Sequence, residues 1–119
     1  MFLITSGIPN LAFYKLLENI NSSTILYYNG DYDPEGLLIA DKLNNKYNNI
    51  KLFLYDAKSY FNTNPSVNIS KNRLHKLELI NSEELSLVKK LLLESRKAGY
   101  QENNLVNIEK FIKINSEKK

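Results

Sequence analysis

Thr24-Ile25-Leu26-Tyr27-Tyr28-Asn29-Gly30-Asp31-Tyr32-Asp33-Pro34-Glu35-Gly36 decides the fold. Its first five residues are β-branched, aliphatic or aromatic, the composition of a strand. Asn29 to Pro34 is turn chemistry. Pro34 suits the first turn of a helix, where its missing N–H costs nothing. Leu37, Leu38, Ala40 and Leu43 then give that helix an apolar stripe, and Asn48-Asn49 marks its end. Outward in one direction, Ile50 to Tyr55 alternates and reads as another strand. In the other, Phe2-Leu3-Ile4-Thr5 is a short apolar run closed by Ser6-Gly7, and Pro9 opens a helix carrying Leu11, Tyr14 or Lys15, Leu17 and Ile20 at helical spacing, with Leu16 widening the stripe. Residues 19–23 break that helix. The order is strand, helix, strand, helix, strand. Connections of this length join parallel strands by right-handed crossovers, so the chain is expected to be an α/β protein with an open parallel sheet.

A chain of 119 residues allows one domain, 1–119, and 43% apolar residues suffice for a core. The absence of cysteine excludes a disulfide scaffold, a thiolate nucleophile and any zinc site built on sulfur. One histidine, His75, rules out a multi-histidine metal site. No apolar run approaches the roughly 18 residues of a membrane span, and no signal-peptide pattern opens the chain, so a cytoplasmic protein without membrane contact is expected. A net charge of +3 permits nucleic-acid binding without demanding it.

Beyond Asp56 the pattern changes to an α-helical C-terminal part. A short helix is predicted around Ser59-Tyr60-Phe61, then a polar loop at residues 62–68, then a basic patch of Lys71, Arg73, His75 and Lys76. Asn81-Ser82-Glu83-Glu84 has the form of a capping box, with Asn81 as cap. Leu85, Val88, Leu92 and Leu93 form the buried stripe of the helix it starts, and Gly99 is placed to end it. A last helix is predicted from Leu105 to Ile114.

Chemistry concentrates at Asp31 and Asp33. They lie just past the carboxyl end of a strand in a parallel sheet, the edge where open α/β sheets bind ligands. In extended chain, residues two apart face the same way, with about 6–7 Å between their α-carbons. Two carboxylates so placed suit a hard cation such as Mg²⁺ or Mn²⁺, with Glu35 as a possible third donor. An Asx-rich turn satisfies the same pattern. Three rivals fit less well. As an EF-hand loop the stretch puts Lys42 where a bidentate Glu is required. Glu35 stands where aspartyl-nucleophile phosphatases usually have Thr or Val, and no Walker-type phosphate loop is present. Tyr27 and Tyr28 sit on a central strand, so at least one belongs to the core. Among eight tyrosines, some are candidates for stacking on unpaired bases.

Gly30-Asp31-Tyr32-Asp33-Pro34-Glu35-Gly36-Leu37, followed by Ile39-Ala40, resembles the G-D-F-D-x-x-G-L-x-I-A signature of the Toprim-type C-terminal domain of JetD, the nuclease subunit of the Wadjet plasmid-defence system. That domain is similar in turn to the Toprim domain of the topoisomerase VI A subunit. Thr5-Ser6-Gly7-Ile8-Pro9-Asn10-Leu11-Ala12 resembles the family's T-S-G-x-P-S-x-A segment, and Lys97-Ala98-Gly99-Tyr100-Gln101-Glu102 is similar to a late A-x-Y-Q-E motif. The resemblance implies a Toprim-like fold and a Mg²⁺-dependent DNA-cleaving domain of a plasmid- or phage-defence nuclease, with Asp31 and Asp33 as catalytic metal ligands. DNA is the implied substrate, and condensin-like subunits are implied partners. Family members carry a further catalytic Glu on a strand preceding the segment that matches 2–6. Met1 falls directly on that segment, so this sequence holds no counterpart. The expectation is a chain N-terminally incomplete relative to the family: a short gene product, a domain fragment, or a subunit completed by another polypeptide or by a homodimer.

Two functions follow. In one, the chain is a metal-dependent phosphodiester hydrolase in which Lys71, Arg73, His75 and Lys76 hold the DNA backbone. In the other, it is a DNA- or partner-binding module without chemistry. For Glu102, an exposed position between two helices is the simpler expectation.

Overall fold

The structure, a computed structural model, describes residues 11–19, 23–100 and 105–117. The expected strand at 2–5 and Glu102 lie outside these residues. The chain is mixed α/β: α1 (Leu11–Asn19), β1 (Leu26–Tyr28), α2 (Pro34–Lys46), β2 (Ile50–Leu52), α3 (Ala57–Asn62), β3 (Val67–Asn68), α4 (Lys71–Leu74) running into a 3-10 turn (His75–Leu79), a second 3-10 turn (Glu83–Leu85), α5 (Ser86–Ser95), β4 (Lys97–Ala98) and α6 (Leu105–Glu117). β1 and β2 pair in parallel, Leu26 opposite Ile50 and Tyr28 opposite Leu52, as the α2 crossover requires. Both strands are shorter than the runs that announced them: β1 starts at Leu26, two residues into its run, and β2 ends at Leu52, after which residues 53–55 leave the ladder.

α2 buries Leu37, Ala40 and Leu43 against this pair. Its amino end is capped by Asp33, whose Oδ1 accepts from the Gly36 N–H at 2.6 Å. The core continues through Tyr28, Tyr32, Tyr55, Tyr60, Leu77, Leu85, Val88 and Leu92.

Four expectations fail in the C-terminal part. The polar stretch at 62–68 is not all loop: Val67 and Asn68 form β3, antiparallel to β4 in a second sheet. The capping box at Asn81 does not form. The Asp41 carboxylate, buried on α2, instead accepts from the Asn81 N–H (3.1 Å), the Ser82 N–H (2.8 Å) and the Ser82 hydroxyl (2.6 Å). A carboxylate from a neighbouring element satisfies those donors, so the chain takes a 3-10 turn before α5 begins at Ser86. Nor does Gly99 end the helix. α5 stops at Ser95, where Arg96 takes the left-handed conformation (φ 57°) and donates its N–H to Leu92. Leu93 is 46% exposed, outside the buried stripe. Leu11 likewise lies at the surface.

Candidate metal and phosphate site

The loop from Asn29 to Asp33 leaves the carboxyl end of β1 and is fastened on three sides. The Asn29 side chain, fully buried, donates to the Phe53 carbonyl (2.9 Å) and to the Tyr32 hydroxyl (3.3 Å). The Gly30 N–H donates to the Tyr55 hydroxyl at 3.0 Å. Tyr32 forms a two-way antiparallel bridge with Gly99, its N–H donating at 2.7 Å and its carbonyl accepting at 3.0 Å. Its ring turns inward, 0% exposed, and its hydroxyl donates to the Leu54 carbonyl at 2.6 Å. Tyr32 faces the core, and its neighbours Asp31 and Asp33 are half-buried just past the carboxyl end of β1.

Two glycines make this possible. A side chain at Gly36 would collide with the Asp31 carbonyl and lie 2.9 Å from Asp33 Oδ1. One at Gly99 would collide with the Thr63 hydroxyl, which itself donates to the Tyr60 carbonyl at 2.6 Å. Both close approaches need a residue without a Cβ.

Of the four basic residues expected to form one patch, the structure brings only two to the motif. Arg73 donates through Nε (3.0 Å) and Nη2 (2.6 Å) to Glu35 Oε1, and its Nη2 lies 3.7 Å from Asp33 Oδ2. Lys76 Nζ lies 3.2 Å from Glu35 Oε2. His75 turns to Glu78, 3.5 Å away on its own turn. Lys71 is exposed, with no ion pair among the described residues. The meeting of Glu35 with Arg73 spans 38 positions, and charge alone was the only sequence signal for it.

The electrostatics follow from this arrangement. Arg73 above all, then Lys76, holds the Glu35 carboxyl below its usual range. Asp33 is shifted the other way: burial raises it most, Glu35 and Asp31 add to the rise, and the Gly36 N–H and Arg73 offset part of it. Asp33 is thus a carboxylate that folding makes harder to ionise, which is where a cation is most useful.

That shift has a signed consequence in metal-free buffer. With its pKa raised on folding, Asp33 holds a proton in the folded chain at a pH where the unfolded chain has lost it. Its contribution to stability therefore falls as pH rises from the ordinary aspartate value through the raised one. Asp33→Asn removes the titration and keeps the cap, since Asn caps as well as Asp. Glu35, whose lowered pKa acts in the opposite sense, is common to both proteins. Melting curves from about pH 3 to 7 should show the variant gaining on the native chain as pH rises. A variant that loses ground would contradict burial as the dominant influence on Asp33.

Among the described residues no three His, Cys, Asp or Glu side chains converge as a ready metal cage. Two carboxylates, Asp31 and Asp33, would hold only an ion that keeps several of its own waters, the habit of Mg²⁺. No helix among the described residues is long and apolar enough to cross a membrane.

The fold and this loop define an α/β domain with a carboxylate pair at the carboxyl edge of a parallel strand pair. Residues 1–110 match the family model described as "Protein of unknown function C-terminus (DUF2399)", and the chain belongs to that family. No curated protein and no solved structure was found to match it.

Proposed function

We propose that the chain is a Toprim-like, Mg²⁺-dependent domain that engages and cleaves the phosphodiester backbone of DNA, of the kind found in the Wadjet JetD nuclease. The observation that carries this reading is the D-x-D pair Asp31 and Asp33, fixed at the edge of β1 by the Tyr32–Gly99 bridge with Arg73 beside it. Asp31 and Asp33 would hold the ion. When bound, Mg²⁺ supplies charge to a phosphate oxygen and a water of lowered pKa. Arg73 and Lys76 add positive charge along the path of the backbone, without reading sequence.

One observation favours the second reading, a DNA- or partner-binding module without chemistry. Asp33 already has structural duties, as the cap of α2 and as a neighbour of Arg73.

Binding of a short duplex DNA, measured in Ca²⁺ and in EDTA, tests the metal in the reading. Ca²⁺ takes the same oxygen donors as Mg²⁺. The native chain should bind more tightly with the ion, and Asp31→Asn and Asp33→Asn should lose that gain. Equal affinity of the native chain in both buffers counts against a metal-mediated role.

A further inference from the structure

Glu35 was a candidate third metal donor, but both its oxygens are already committed to cations. Oε1 accepts two N–H bonds from Arg73, and Oε2 faces Lys76 at 3.2 Å. A metal on Glu35 would have to displace two positive side chains. The same contacts fix Arg73 where it is useful. α4 is a single short turn, and Arg73 is the residue through which it reaches the motif. Its side chain is one-third exposed. Nε and Nη2 are used on Glu35, Nη2 also lies 3.7 Å from Asp33 Oδ2, and Nη1 has no partner among the described residues.

We propose that Glu35 is a positioning residue that holds Arg73 beside Asp33, so that one phosphate group is met by a cation on Asp31 and Asp33 and by the Arg73 guanidinium together. This rests on the reading of the site as phosphodiester-binding and assigns the roles within it. The planar fork of arginine matches phosphate oxygens, and it matches them best when its orientation is set in advance. A carboxylate bridging Arg73 and Lys76 sets it. Lys76, on the other oxygen of the same carboxylate, keeps Arg73 from being fully neutralised by Glu35 and adds a second positive charge on the same side.

The proposal makes a prediction opposite to that of simple charge counting. Removing Glu35 raises the net charge by one, and long-range electrostatics alone would then tighten DNA binding. If Glu35 positions Arg73, its removal weakens binding instead. The experiment measures affinity for a 20-base-pair duplex in Ca²⁺ across a salt series, for the native chain, Arg73→Ala, Arg73→Lys, Glu35→Gln, Glu35→Ala and the double variant Glu35→Ala/Arg73→Ala. Arg73→Ala should weaken binding roughly tenfold and lower the slope of log affinity against log salt by about one. Arg73→Lys should keep the slope and lose part of the affinity. Glu35→Gln and Glu35→Ala should weaken binding several-fold, and the double variant should bind no worse than Arg73→Ala, since the two act as one unit. Glu35→Gln should also keep the metal-dependent rise in melting temperature. Glu35→Gln guards against a folding defect, because it keeps the shape of the side chain.

Tighter binding by the Glu35 variants, additive losses in the double variant, or loss of the metal-dependent shift in Glu35→Gln would each overturn the positioning role. The phosphodiester reading would then stand without it. A native chain that shows no salt-dependent duplex binding overturns both.

Discussion

Tyr32→Ala should lower the melting temperature by roughly 10–25 °C, the largest effect expected of any single change in the chain. The ring is fully buried, edge-on to Tyr55 with centroids 5.7 Å apart and edge-on to Tyr60 at 6.2 Å. Truncating a buried aromatic to alanine costs about 3–5 kcal/mol through lost burial and the cavity left behind. A domain of this size is stable by only about 5–15 kcal/mol, so much of the margin goes. The change also removes the hydroxyl that donates to Leu54 and accepts from Asn29, leaving a carbonyl and an amide short of partners. Tyr32→Phe isolates that second part and should cost about 1–3 kcal/mol. Thermal or urea melts check both. A Tyr32→Ala variant that melts within a few degrees of the native chain would mean that the loop carrying Asp31 and Asp33 is not held by its central residue.

The alternation that made this legible in the sequence is local. Asp31, Tyr32 and Asp33 are consecutive, and in extended chain period-two geometry sets the expectation of two carboxylates facing one way and the residue between them the other; the buried Tyr32 ring accords with it. For the same reason β1, α2, β2 and their parallel pairing could be read from residues 24–55: strand composition, Pro34 at a helix start and the Leu37, Ala40, Leu43 stripe are all short-range signals. The family resemblance, carried by residues 30–40, pointed to the same two aspartates.

What was not legible depends on contacts distant in sequence. Gly99 looked like a helix terminator because glycine often is one, but its role is set by Tyr32, 67 positions earlier, and by the Thr63 hydroxyl against which a side chain would collide. The capping box at Asn81 was a sound local pattern that lost to Asp41, 40 positions away, whose buried carboxylate offers the same donors a better acceptor. The basic patch of 71–76 divided for a similar reason. On short turns neighbouring side chains diverge, so Arg73 and Lys76 reach Glu35 while His75 meets Glu78. Only the partners decide which charges belong to the site.

The second large effect is on the metal site, and it is the most direct test of the account. Asp31→Asn and Asp33→Asn keep shape and remove charge. Because a ligand that binds only the folded chain stabilises it by RT ln(1 + [L]/Kd), Mg²⁺ or Mn²⁺ at about ten times Kd is worth about 1.4 kcal/mol, or roughly 4–6 °C in a chain of this length. Two carboxylates bind such an ion weakly, and a phosphate supplies further oxygens, so the shift should grow when duplex DNA is present. The measurement is the melting temperature of the native chain and both variants across a Mg²⁺ or Mn²⁺ series, with and without DNA. The account predicts a saturable rise for the native chain, larger with DNA and lost in both variants. No metal-dependent rise in the native chain even with DNA, or a rise that both variants keep, would contradict it.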